Sequence, residues 1–134
     1  MTTTINANTS AGLVYTADTS GVVKLQSNGV TTNALAWVNF NGSGGASIRS
    51  SYNVSSVTRS SGGVYYVSFT NAMSDANYAM VGSASVAPGN FGIFMGDEIS
   101  TRTTARSGTF YTANGTNSNA AADANNINVA VFGN

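Results

Sequence analysis

The side chains able to do chemistry in this chain are few. The carboxylates are Asp18, Asp75, Asp97, Glu98 and Asp123, and the cations are Lys24, Arg49, Arg59, Arg102 and Arg106. Cysteine and histidine are absent. Thiol catalysis, disulfide scaffolds and cysteine-based metal sites are thereby excluded, together with the commonest general base and metal ligand. Serines abound, but a serine nucleophile needs a base, and only carboxylates and one lysine are on offer. A glycoside hydrolase would need paired carboxylates, Asp97 with Asp75 or Asp123. Asp97-Glu98 is the one adjacent acidic pair. It is read as a solvated turn or an interchain ion pair with Arg102 or Arg106, rather than a hard-cation site. No catalytic residue, metal site or cofactor is expected.

Binding chemistry is better represented. Trp37, the single tryptophan, could stack on a sugar, but its place in an apolar strand predicts a core residue. Tyr65 and Tyr66 point to opposite faces of a strand, so one is expected inside and one outside. Gly42-Ser43-Gly44-Gly45 lacks the Lys-Ser/Thr ending of a phosphate loop and reads as a turn. Five positive charges balance five negative ones, leaving no basic surface for nucleic acid. No apolar run is long enough for a membrane span, and Met1 to Asn6 lacks the features of a secretory signal. Four Asn-X-Ser/Thr tripeptides, at Asn8, Asn41, Asn53 and Asn114, are read as chance in so Asn- and Ser-rich a chain.

These groups must be held by β-structure. With 17 Asn, 18 Ser, 16 Thr and 15 Gly, half of the 134 residues are small or polar and uncharged, yet 6 Tyr, 6 Phe and 1 Trp are spread among them. Turn formers alternating with strand formers are a β-protein composition. Ala34 to Phe40 is apolar on both faces, with Leu35 and Trp37 opposite Ala36, Val38 and Phe40. Asn53 to Arg59 and Val64 to Thr70 flank the turn Ser60-Ser61-Gly62-Gly63, and Tyr65, Val67 and Phe69 share a face. Tyr78, Met80, Gly82, Ala84 and Val86 alternate up to Pro88-Gly89-Asn90. Phe91, Ile93 and Met95 alternate next, followed by strands over Arg102 to Tyr111 and Ile127 to Phe132. Ala120 to Ala124 makes one helical turn at most.

Seven to nine strands predict a single all-β domain, an antiparallel, jelly-roll-like β-sandwich over residues 33–134. Its expected core includes Leu35, Trp37, Val67, Phe69, Val81 and Ile127. Residues 1–32 read as a polar arm and two short strands, Leu13-Val14 and Val22-Val23, joined by Thr16 to Gly21. They are too poor in apolar groups to fold alone. Leu13, Val14, Val22, Val23 and Leu25 are therefore expected to pack against a partner or the main domain.

The string Ala36-Trp37-Val38-Asn39-Phe40-Asn41-Gly42, with Ile48-Arg49, Asn53-Val54-Ser55-Ser56-Val57, Phe69-Thr70 and Asn77-Tyr78, resembles a domain at the distal end of bacteriophage tail fibres and tailspikes. Thr16-Ala17-Asp18-Thr19-Ser20-Gly21 with Leu25-Gln26 is similar to the openings of phage fibre-like structural proteins. The resemblance covers about half the chain, which is expected to lack room for a fibre shaft. It implies a stand-alone virion module: a homotrimeric decoration, or cement, protein seated on the major capsid protein. The alternatives are a tail-fibre tip that recognises host surface glycan or protein, and a carbohydrate-binding module unrelated to phage. All three use the same sandwich.

Overall fold

The computed structural model describes residues 23–86, 92–115 and 120–133. The first element follows from Asn28-Gly29, whose positive φ angles of 49° and 78° turn the chain between β1 (Gln26–Ser27) and β2 (Val30–Thr31). Asn33 ties the base of this hairpin, its Oδ1 accepting from Leu25 N at 2.7 Å and its Nδ2 donating to Val23 O at 2.8 Å.

Eight further strands follow: β3 (Ala36–Asn41), β4 (Ser47–Tyr52), β5 (Val54–Ser61), β6 (Val64–Phe69), β7 (Ala79–Ser85), β8 (Gly92–Glu98), β9 (Thr109–Asn114) and β10 (Asn126–Phe132). They form two antiparallel four-stranded sheets, ordered β4-β3-β10-β7 and β5-β6-β9-β8. No α-helix occurs among the described residues, where Ile99–Thr101 forms a short 3-10 turn. No helix there is long and apolar enough to cross a membrane. The expected all-β class is therefore observed, in a sandwich-like arrangement.

Period-two alternation builds the core. Ala36, Val38 and Phe40 of β3 join Ile127, Val129 and Val131 of β10, facing Tyr65, Val67 and Phe69 of β6 and Phe110 of β9. Phe40 meets Tyr65 edge-on across the layers at 5.3 Å between centroids, and within the second sheet Phe94 stacks on Phe110 at 5.0 Å. Gly82 lets Phe94 approach, because a Cβ there would overlap the ring.

Two expected core residues lie elsewhere. Trp37 is 40% exposed and Val81 54% exposed, both on the outer face of the first sheet. The pleat decides this: Trp37 shares its face with Asn39, and Val81 opposes the inward series Met80, Gly82, Ala84. Leu35 is buried although it has the parity of Trp37, because it precedes the strand, where its N–H donates to Val131 O at 2.8 Å.

The strand expected over Arg102 to Tyr111 begins only at Thr109. Before it, fully buried Ser107 inserts its hydroxyl in place of a ladder group, Oγ accepting from Val67 N at 2.9 Å. The expected strands at Leu13-Val14 and Val22-Val23 lie outside the described residues, except Val23, which is half-buried and not in a strand.

Candidate functional site

Chemistry-like clustering is strongest around Asp123. Arg59 grips its carboxylate in a fork, Nε to Oδ1 and Nη2 to Oδ2, each at 2.9 Å. Oδ1 also accepts from Gly63 N at 2.8 Å and from the Tyr65 hydroxyl at 2.6 Å. Partial burial pushes the Asp123 carboxyl upward, but the bonds from Arg59, Tyr65 and Gly63 outweigh it and hold the group at about 2. Burial, then the bond to Asp123, pushes the Tyr65 phenol well above its ordinary value. Both oxygens of this carboxylate are thus engaged by the fold. It ties the β5–β6 turn to the segment entering β10.

The Asp97 side chain, on which the expected acidic pairs turn, lies outside the described residues, and the remaining groups are dispersed. Asp75 Oδ1 accepts from Asn77 N at 2.6 Å, as a turn-forming carboxylate does, and Glu98 is exposed. Arg102 lies over the Tyr78 ring at 4.6 Å and donates to Tyr78 O at 2.6 Å, while Arg106 lies over Tyr66 at 4.4 Å. Among the described residues no three His, Cys, Asp or Glu side chains gather as a metal site.

Two surface features remain. The first is the β1–β2 hairpin, where Leu25 is 48% and Val30 58% exposed. Val30 and Thr31 line a cleft of about 380 Å³ with Asp75, Asn77, Ala79 and Phe132. Of the expected contact residues, Leu25 lies at this exposed hairpin and Val23 is half-buried beside it, its N–H donating to the Tyr52 hydroxyl at 3.2 Å. Leu13, Val14 and Val22 lie outside the described residues.

The second feature is the outer face of the β4-β3-β10-β7 sheet, with a groove of about 410 Å³. Pairing places Tyr52, Trp37, Ala130 and Val81 in one row across the four strands. The next row is Ser50, Asn39, Asn128 and Ser83. A chain of polar contacts fixes that second row. Asn39 Nδ2 donates to Asn126 Oδ1 at 2.6 Å and to Asn128 Oδ1 at 2.7 Å, and Asn128 Nδ2 donates to Ser83 Oγ at 3.2 Å. Arg49 closes the far end, donating to Asn126 Oδ1 at 3.1 Å and Asn125 O at 2.6 Å. Sequence reasoning missed this ladder, although its signal is visible: Asn39 and Asn41 alternate with core residues, as do Asn126 and Asn128.

Compared with family models, curated proteins and solved structures, the chain matches none.

Proposed function

We propose that this chain is a non-enzymatic surface protein of tailed-bacteriophage virions: a homotrimeric decoration protein that seats on the major capsid protein and reinforces the shell from outside. The observation that carries the reading is the apolar exposure of the N-terminal hairpin, where Leu25 and Val30 stand in solvent beside the cleft at Phe132. A two-stranded hairpin is at best marginal on its own, and apolar groups on both of its arms gain from a covering partner. Burying one Leu or Val contributes about 1.5–3 kcal/mol before ordering costs. Three such hairpins in a trimer act together through effective concentration, so a modest contact per chain suffices. Eight strands divided four and four support the jelly-roll-like sandwich expected from the strand count.

The test is co-sedimentation with undecorated phage heads. The full-length chain is expected to pellet with heads, and the folded double variant Leu25→Ser, Val30→Ser to bind at least tenfold more weakly. Equal binding by the double variant places the grip elsewhere. Failure of the full-length protein to bind heads, with retained binding to host cells, replaces the decoration reading by the tail-tip one. The groove beside Trp37 is the observation that favours this second reading.

A further inference from the structure

We propose that the outer face of the β4-β3-β10-β7 sheet is a saccharide-binding surface for a neutral oligosaccharide. In it Trp37 stacks on a pyranose ring, and Asn39, Asn128 and Ser83 hydrogen-bond its hydroxyls. The assignment goes beyond the assembly reading and holds whether the chain sits on capsid or tail.

A sugar ring presents C–H groups on its faces and hydroxyls around its rim. The sheet offers the matching pattern: an apolar row containing the 40%-exposed indole, and a carboxamide and hydroxyl row beside it. Same-face neighbours along a strand are about 7 Å apart, so a ring resting on Trp37 brings its rim to the second row. The carboxamides are held by the Arg49–Asn126–Asn39–Asn128–Ser83 chain, so little of their freedom is left to lose on binding. Asn39 Oδ1 takes no part in that chain of contacts and is left as an acceptor beside the groove. Among the described residues no carboxylate lines the groove, and Arg49 beside it is engaged with Asn126 and Asn125. The ligand is therefore uncharged.

The apolar row of Tyr52, Trp37, Ala130 and Val81 continues on the same face into Phe132 and Ala79. A mostly apolar surface with a few fixed polar groups is the usual form of a small-ligand site.

Trp37 is the chain's single tryptophan, so fluorescence excited beyond the tyrosine absorption band reports on this site alone. The full-length protein is titrated with maltoheptaose, cellopentaose, mannopentaose and chitohexaose. At least one is expected to give a saturable fluorescence change. For that sugar, Asn128→Ala is expected to weaken binding at least fivefold. Trp37→Ala, followed by calorimetry, is expected to weaken it at least tenfold. Tyr111→Ala, on the outer face of the other sheet, serves as the folded control and is expected to bind normally. The inference is overturned if no sugar gives a saturable change, or if binding survives both Trp37→Ala and Asn128→Ala. It is equally overturned if Trp37→Ala lowers the oligomeric mass, because the face then belongs to a subunit contact.

Discussion

Asp123 shows how a single carboxylate is engaged on several sides by the fold and contributes to its stability. Its folded value of about 2 lies below its ordinary value of 3.8, so the unfolded chain binds the proton more readily. The stabilisation is complete above about pH 5, declines as the pH falls through 3.8, and is gone below about 2. A displacement of this size corresponds to on the order of 2 kcal/mol. Urea unfolding of the wild type is expected to show that loss between pH 5 and 2, and Asp123→Asn to show a flatter profile over the same range. An unchanged slope in the variant removes Asp123 as the source. None of this was legible in the sequence, because Arg59 and Asp123 lie 64 positions apart and only the tertiary fold brings them together. What was legible at the residue scale is parity. Val67, Phe69 and Ile127 were placed inside by alternation, and they are buried. The same expectation fails for Trp37 and Val81, which the parity of their neighbours turns outward.

Among the elements, the sharpest feature is the passage from β4 to β5, which takes one residue. Asn53 makes the corner with φ at +52°, a left-handed conformation that asparagine tolerates better than most residues. Its Nδ2 donates to Leu35 O at 3.0 Å and to Asn71 O at 3.2 Å, and its Oδ1 accepts from Asn71 N at 2.8 Å. The corner is thereby fastened to the start of β3 and to the segment after β6. Asn53→Gly keeps the backbone and loses the bonds, at about 1–3 kcal/mol. Asn53→Ala adds left-handed strain of about 1–2 kcal/mol. Denaturant midpoints are expected to fall in the order Asn, Gly, Ala; equal midpoints for the Gly and Ala variants mean that the corner stores no strain. Strands with apolar alternation, such as β6 and β10, were readable in advance. The strand β4 was not, because Ser47-Ile48-Arg49-Ser50-Ser51-Tyr52 is a mostly exposed edge with no alternating apolar series to announce it. The β1–β2 turn announces itself through Asn28-Gly29, but each arm is only two residues long.

For the molecule as a whole, the assembly reading makes a direct demand on mass. Light scattering of the full-length chain at micromolar concentration is expected to return three times 13.6 kDa. The double variant Leu25→Ser, Val30→Ser, altered in the capsid grip, is expected to keep that mass. A wild-type monomer at that concentration contradicts the trimer. The strand order has a separate bearing on how the fold is reached. β10 lies between β3 and β7, and Asn39 meets Asn126 across 87 positions. On a ribosome, β3 and β7 both emerge before the strand that separates them. Until β10 arrives, each presents an unpaired edge, the kind of template on which nascent chains pair with one another. Closure by so distant a segment places folding among the slow, non-local cases of the millisecond-to-second range. The yield of native protein is therefore set by a race between threading of the last strand and edge-to-edge association. Cooler, slower synthesis lowers the concentration of waiting chains and tilts that race toward the native sheet.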